Sequence, residues 1–227
     1  MVAVEYIERA RAESERGELV LRERRPEDGP TSLELRANGV FVMDTLEFST
    51  ERALADAALA VVDEPRAVVV AGLGLGFTMH EVLADSRVER CAVVEIEEAL
   101  VGWMRDGTVP HGPALLADER VTVVVADIRA ALAEAKPATY DLILLDVDNG
   151  PGYLVHDSNA ELYDEPFLAA ARAVLRHGGA LVVWSAAEAP DLEKALRATF
   201  DEVEAQPRDV LLQGRDEQYW LYVARVA

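Results

Sequence analysis

Residues 67–76 read AVVVAGLGLG and decide the fold class, because a short apolar run passes directly into a glycine-rich loop. Similar apolar runs follow, with helix-like stretches between them: CAVVEI at 91–96, VTVVVA at 121–126, DLILLD at 141–146 and ALVVWS at 180–185. Strands that are apolar throughout and alternate with helices are typical of a parallel sheet buried on both faces. We therefore expect a doubly wound, mostly parallel α/β sheet over residues 51–227.

The residues before this region predict a smaller β unit. Residues 17–43 alternate between apolar and polar side chains, and Asn38-Gly39 lies between LEL and VFV, as in a tight hairpin turn. We expect an antiparallel unit of about three strands within residues 1–50. At the other end of the chain, QYWLYVARVA predicts one more strand, paired antiparallel near the edge of the main sheet.

The composition excludes several function classes. The 227 residues include 22 basic and 42 acidic side chains, and a surface with a net charge of −20 repels nucleic acid. No apolar run approaches the roughly 20 residues that span a bilayer, and the charged N-terminal stretch is unlike a secretory signal. The single cysteine, Cys91, allows no internal disulfide, and the histidines show no metal-ligand spacing. We expect a cytoplasmic protein that binds no membrane, nucleic acid or metal.

Three glycines, Gly72, Gly74 and Gly76, follow the first parallel strand. Glycine lets the chain turn tightly there and lets a ligand approach the start of the next helix. Phe77 stands where the dinucleotide pattern GxGxxG needs a glycine, so the spacing favours a nucleoside carried by a methionine-derived sulfonium over a pyrophosphate. The alternative is that the glycines only pack the helix against the strand.

The ends of the next two strands carry side chains suited to a nucleoside. Glu95 ends the second strand, where a carboxylate can accept hydrogen bonds from both ribose hydroxyls. Asp127 ends the third strand and can accept from an exocyclic adenine amine, while Ile128 packs on the ring. In the alternative interpretation Glu95 is a solvated acid and Asp127 caps the following helix.

Two carboxylates, Asp146 and Asp148, lie at the end of the fourth strand, where open α/β sheets bind ligands. A carboxylate at this position can orient an attacking amine and accept its proton, so both are candidate catalytic residues. The alternative is a turn at Asn149-Gly150 that carries two solvated acids.

An ordered set of motifs points to a known family. In chain order they are NGVFVMDTLEFSTE, GLGLG, VVEIE, VVADI, YDLILLDVDNGP and ELYDEPFLAAARAVLRHGGALVV. The set resembles the spermidine synthase family over nearly the whole chain. The resemblance implies a small N-terminal β domain on a methyltransferase-like Rossmann domain, commonly dimeric, that binds decarboxylated S-adenosylmethionine. It also implies roles for the residues: the nucleoside is held by Gly72, Gly74, Gly76, Glu95 and Asp127, and the attacking amine by Asp146 or Asp148.

The sequence departs from the family pattern at several positions. Leu75 stands where the family carries an aspartate that holds the aminopropyl ammonium, and Val42 stands in place of a hairpin glutamine. Thr50 stands in place of a tyrosine that contacts the polyamine. Within this family resemblance, Leu75 favours intact S-adenosylmethionine as the donor, or an unusual acceptor.

We therefore expect a homodimeric transferase that moves an aminopropyl or methyl group from a sulfonium donor to a small acceptor, such as a cationic amine. An S-adenosylmethionine-dependent small-molecule methyltransferase is an alternative within this class. A magnesium-dependent O-methyltransferase is disfavoured, because LVVWSAAEAPD lacks the Asp-Asn pair that such enzymes carry. A non-catalytic nucleoside-binding or scaffold protein is the alternative from another class.

Overall fold

The computed structural model describes residues 4–147, 150–152, 154–212 and 215–227. Its N-terminal part is a four-stranded antiparallel sheet in the order β1-β2-β3-β4. The strands are β1 (Val4–Ser14), β2 (Gly17–Pro26), β3 (Ser32–Ala37) and β4 (Val40–Asp44). The predicted turn joins β3 to β4, and Asn38 and Gly39 both have positive φ angles, 52° and 76°. Such a two-residue turn matches the twist of the flanking strands.

One strand of this sheet was not expected from the sequence. Strand β1 pairs with β2 from Val4 to Ser14, but most of its side chains are at least partly exposed and many are charged. An edge strand with this composition shows no clear alternation of apolar residues, so its pairing is not readable from its own pattern. The division of the chain at residue 50 stays a prediction.

The second sheet has seven strands in the order β10-β11-β9-β8-β5-β6-β7. They are β5 (Ala67–Ala71), β6 (Arg90–Glu95), β7 (Val121–Val125), β8 (Tyr140–Leu145), β9 (Leu175–Ser185), β10 (Glu202–Leu212) and β11 (Arg215–Arg225). The five strands from β9 to β7 are parallel, whereas β10 and β11 pair antiparallel. The C-terminal strand β11 is therefore antiparallel as predicted, and β10 forms the edge beside it.

Helices cover both faces of this sheet. They are α1 (Ser49–Ala60), α2 (Phe77–Ala84), α3 (Glu98–Asp106), α4 (Gly112–Leu116), α5 (Ile128–Glu134), α6 (Glu165–Val174) and α7 (Pro190–Thr199), with a 3-10 helix at Asp157–Tyr163. On β5, Val68 and Val70 face one apolar core, whereas Val69 and Ala71 face the other. Successive side chains of a strand point to opposite faces, so an all-apolar strand is what two covered faces require. The predicted doubly wound α/β fold is confirmed.

The chain order of the parallel strands creates a crevice. The chain enters at β5 in the middle of the sheet, moves outward through β6 and β7, and returns to the other side of β5 at β8. Ligands of open α/β sheets bind beyond the carboxyl ends of the strands at this kind of reversal. No helix within the described ranges is long and apolar enough to cross a membrane.

Candidate active site

A cleft with a volume of about 230 Å³ lies where the four-stranded sheet meets the carboxyl ends of the parallel strands. Most of the site residues predicted from the sequence border it: Gly72, Gly74, Glu95, Asp127, Ile128 and Asp146. Gly76 is not among the described residues that line the cleft. Asp148 lies outside the described residues, so its role stays a prediction. The topology thus brings residues from four strand ends to one place.

The glycine loop is packed closely against its neighbours. A Cβ on Gly72, whose φ is +94°, would lie 2.0 Å from the backbone oxygen of Asp146. A Cβ on Gly76 would lie 2.9 Å from a side-chain carbon of Leu115 and 3.0 Å from one of Met104. Close approach to the backbone accounts for glycine at position 72, and a φ of +88° accounts for it at position 76, so a contact of Gly76 with a ligand stays a prediction.

Leu75, at the centre of the loop, is held through its backbone. Its N–H donates to the Met43 sulfur over 3.2 Å, and its carbonyl accepts from Nε2 of His111 over 2.6 Å. The His111 ring also stacks on Phe77, with ring centroids 5.5 Å apart. The Leu75 side chain is fully buried (0% exposed) and does not line the cleft. The loop therefore presents no charged side chain to a ligand.

Glu95 lies in the wall of the cleft at the end of β6. One carboxylate oxygen accepts from the Leu73 N–H and the other from the Glu97 N–H, each over 2.8 Å. The side chain is 7% exposed, and burial raises the pKa of this carboxyl. A carboxylate has about four lone-pair positions, so each oxygen keeps capacity for a further donor. These features fit the predicted contact with two ribose hydroxyls.

Asp127 is the N-cap of α5, which is the alternative that the sequence left open. Its Oδ1 accepts from the Arg129 backbone N–H over 2.8 Å, and Nε of Arg129 lies 3.0 Å from both carboxylate oxygens. The hydrogen bond from Arg129 lowers the pKa of Asp127. Asp127 still borders the cleft, with Ile128 beside it in the apolar wall. Its contact with adenine stays a prediction.

A second acid, which the sequence did not single out, lines the same cleft as Asp146. Oδ2 of Asp146 accepts from the Thr78 hydroxyl over 2.6 Å, and burial raises the pKa of Asp146 to about 6. Glu51, in the first turn of α1, accepts from the Thr50 hydroxyl over 2.8 Å. Burial, and then the charge of Asp146, raise the pKa of Glu51 to about 7. In sequence Glu51 resembles any acid that favours a helix N-terminus, so no local signal distinguishes it.

Other cleft residues also come from distant parts of the chain. Arg16, in the β1–β2 turn, pairs with Glu97 (Nε to Oε1, 3.3 Å) and donates to Asn159 Oδ1 over 3.2 Å. Trp184 and Tyr219 line the cleft and meet edge to face, with ring centroids 5.0 Å apart. The buried indole N–H of Trp184 has no hydrogen-bond partner within the described part of the chain. Of these five residues, only Glu97 stands in one of the family motifs quoted above.

Residues 47–208 match the spermine/spermidine synthase domain. The chain is 33% identical to putrescine N-methyltransferase 3 of Nicotiana tabacum over 123 residues, which are 53% of this chain and 30% of that relative. It is 33% identical to polyamine aminopropyltransferase 2 of Pseudomonas aeruginosa over 134 residues, 57% of this chain and 36% of that relative. The matched part thus spans about a third of the length of these curated relatives.

A solved structure shares the fold of this chain. The structure of spermidine synthase from Thermotoga maritima superposes with a TM-score of 0.77 over 96% of this chain and 72% of that chain, at 17% identity. The superposition includes the small N-terminal sheet as well as the seven-stranded sheet, because it covers nearly all of this chain. The resemblance stated from the motifs is therefore confirmed, and the chain belongs to the spermine/spermidine synthase family.

Proposed function

We propose that this chain is a transferase that moves an alkyl group from an adenosyl sulfonium donor to an amine of a small, cationic acceptor. The observation that carries the proposal is one cleft, bordered by the predicted nucleoside residues and by the acid at the end of β8. Glu95 would hold the ribose, and Asp127 with Ile128 would hold the adenine. The names of the two curated relatives support an amine acceptor, because one is a putrescine N-methyltransferase and the other a polyamine aminopropyltransferase.

The reaction needs a deprotonated amine. The amine nitrogen attacks the carbon bonded to the sulfonium, the C–S bond breaks, and its electron pair leaves with sulfur as a neutral thioether. An alkyl amine with a pKa near 10.4 is protonated at neutral pH, and removing that proton requires about 4–5 kcal/mol. Asp146 borders the cleft, and Asp148 follows it by two residues in the chain. We assign to these acids the orientation of the amine and the acceptance of its proton, which passes on to solvent.

Methyl transfer from intact S-adenosylmethionine is the second candidate. The match to the Nicotiana tabacum relative favours it, since that protein is named as a methyltransferase. Both candidates use the same nucleoside contacts and the same attack on a carbon next to sulfur. They differ in the tail that the donor carries beyond the sulfur.

The proposal also covers the compartment, the oligomeric state and the partners of the protein. We place it in the cytoplasm as a homodimer, without a metal ion, a nucleic acid or a membrane as a partner. The family resemblance supports a dimer, and the net charge of −20 disfavours nucleic acid. A sulfonium is already an activated leaving group, so the transfer itself needs no metal.

The test is a transfer assay with two labelled donors, S-adenosylmethionine and its decarboxylated form, against diamines, monoamines and hydroxylated metabolites. We expect transfer to an amine from one of the donors. Asp148→Asn keeps the shape of the side chain and removes the proton acceptor, so turnover should fall by about 10²–10⁴-fold at nearly constant affinity for the nucleoside. Tight nucleoside binding without transfer to any acceptor would instead favour the non-catalytic alternative.

A further inference from the structure

Arg16 bridges two elements at the nucleoside end of the cleft. Its Nε lies 3.3 Å from Oε1 of Glu97, and a terminal nitrogen donates to Oδ1 of Asn159 over 3.2 Å. A guanidinium carries five N–H donors in a planar fork, so one side chain can bind two acceptors at once. Arg16 therefore joins the start of α3 to the 3-10 helix at Asp157–Tyr163.

Arg129, in the first turn of α5, makes a second bridge with the same layout. It pairs with Asp127, the N-cap of α5, and also donates to a carboxylate oxygen of Glu161 in the 3-10 helix. The acids of the two bridges occupy equivalent places, because Glu97 comes just after β6 and Asp127 just after β7. Each bridge thus ties the 3-10 helix to an acid that follows a parallel strand.

The backbone of Arg16 is itself held in place. Asn38, in the β3–β4 turn, donates from Nδ2 to the Arg16 carbonyl over 3.0 Å, and its Oδ1 accepts from the Glu18 N–H over 2.9 Å. A Cβ on Gly17, whose φ is +105°, would lie 1.9 Å from that same oxygen, so glycine leaves the space that the amide occupies. The two hairpin turns are locked together, and the Arg16 side chain extends from a fixed backbone.

The 3-10 helix is anchored in the core at one end. Leu162 and Tyr163 are buried, and the Tyr163 hydroxyl donates to the Val147 carbonyl over 3.1 Å. Residues 157–161, which precede them, are exposed or half-buried. A segment with few buried apolar contacts opens at a low free energy. The two arginine bridges hold this part of the helix, through Asn159 and Glu161.

The same helix borders the predicted nucleoside contacts. Asn159 and Leu162 line the cleft together with Asp127 and Ile128. Leu162 also belongs to the same apolar cluster as Ile128. A nucleoside that contacts Asp127 and Ile128 would therefore lie next to the 3-10 helix.

We infer that Arg16 and Arg129 are positioning residues that fasten the 3-10 helix across the nucleoside end, so that this helix covers a bound adenosyl group. The inference rests on the proposed function, because it assumes an adenosyl ligand in this cleft. Both bridges join protein groups, so the ligand has to break them on entry as well as on release. Weakening the bridges therefore raises both rate constants and leaves the affinity nearly constant. Loss of a direct ligand contact differs, since it raises the rate of release alone.

The variants remove the bridges one at a time and together. Arg16→Met removes the donors of one bridge, Glu161→Ala removes the acceptor of the other, and the double variant removes both. Arg9→Met is the matched control for the first, because Arg9 lies on β1, pairs with Glu23 and is not among the described residues that line the cleft. Glu202→Ala is the control for the second, because the Glu202 side chain is 65% exposed, against 66% for Glu161, and also pairs with an arginine.

Two measurements separate fastening from covering. Hydrogen–deuterium exchange with mass spectrometry follows the backbone amides of residues 156–164 in the protein alone, and surface plasmon resonance gives the rate constants for methylthioadenosine. We expect exchange of this segment to quicken about tenfold in the double variant. Both rate constants should rise about 2- to 5-fold in each single variant and about tenfold in the double variant. The dissociation constant should stay within a factor of about two, and both controls should match the wild type.

Three results would overturn the inference and leave the proposed function intact. Exchange of residues 156–164 that is the same in the double variant and the wild type would show that the bridges do not hold the helix. Faster exchange with unchanged rate constants would show that the helix does not cover the ligand. A rise in the rate of release alone would make Arg16 a ligand contact. If the wild type binds no adenosyl ligand, the proposed function fails and the covering role fails with it.

Discussion

The Glu51–Asp146 pair predicts that one substitution in the cleft stabilises the protein. Burial and the neighbouring charge raise the pKa of Glu51 from 4.5 to about 7. A carboxyl whose pKa is higher in the folded than in the unfolded state binds more protons when folded. The free energy of unfolding therefore falls as the pH rises between these two values, and the loss is complete above the folded pKa.

The size of the effect follows from the shift. At about 1.4 kcal/mol for each pKa unit, the ionised Glu51 destabilises the folded state by at most about 3 kcal/mol at pH 8. Glu51 borders an open cleft, and water screens part of this interaction, so we expect about 1–3 kcal/mol. Glu51→Gln removes the charge and keeps the shape. It should raise the stability at pH 8 by this amount and change it little at pH 4.5.

The measurement is urea unfolding of the wild type and of Glu51→Gln at pH 4.5, 6 and 8. The two stability curves should separate as the pH rises, and the slope of stability against pH should be flatter for the variant. Glu64→Gln is the control, because the Glu64 side chain is 72% exposed and the substitution removes the same charge. This variant should stay within about 0.5 kcal/mol of the wild type at each pH. A variant no more stable than the wild type at pH 8, or equally stabilised at pH 4.5 and pH 8, would refute the assignment of a destabilising charge to Glu51.

Three further predictions concern the nucleoside end and the loop. Glu95→Ala should weaken the binding of methylthioadenosine by about 2–4 kcal/mol, through lost charge-assisted hydrogen bonds, and unchanged affinity in calorimetry would contradict the ribose role. Gly72→Ala should destabilise the fold by more than about 1 kcal/mol, because φ of residue 72 is +94° and the new Cβ would lie 2.0 Å from the backbone oxygen of Asp146. A smaller loss in urea unfolding would show that the loop relaxes. Asp127→Ala should lower the free energy of unfolding by about 1 kcal/mol through loss of the α5 cap, whereas Asp127→Asn should keep the cap. Equal melting temperatures for the two variants would argue against a stabilising cap at Asp127.

The placement of the predicted nucleoside residues at one cleft was predictable because each of them ends or follows a strand that the sequence reveals. A run such as CAVVEI identifies a buried strand, and parallel strands end at one edge of a sheet. Glu95 and Asp127 therefore had to lie near each other and near the glycine loop. The cap at Asp127 was also foreseeable, because aspartate is a preferred residue at a helix N-terminus.

The position of Glu51 in the same cleft as Asp146 was not predictable in the same way. Glu51 and Asp146 are 95 positions apart in the chain (146 − 51), and nothing in either local sequence requires them to line the same cleft. Arg16 reaches the cleft only because β1, a strand with charged and largely exposed side chains, pairs with β2. Such contacts depend on how α1 and the N-terminal sheet pack against the parallel strands, which hydrophobic periodicity does not encode.

The composition of the cleft wall has an evolutionary consequence. The four-stranded sheet contributes residues such as Leu35, Val42 and Met43, while the glycine loop and the ends of β6 and β7 contribute the predicted nucleoside contacts. Substitutions in the first 44 residues can therefore reshape one side of the cleft without altering Gly72, Glu95 or Asp127. Members of this family can diverge in substrate by changing or exchanging that short segment, and a chimaera that carries a relative's N-terminal sheet on residues 49–227 would keep the predicted nucleoside contacts.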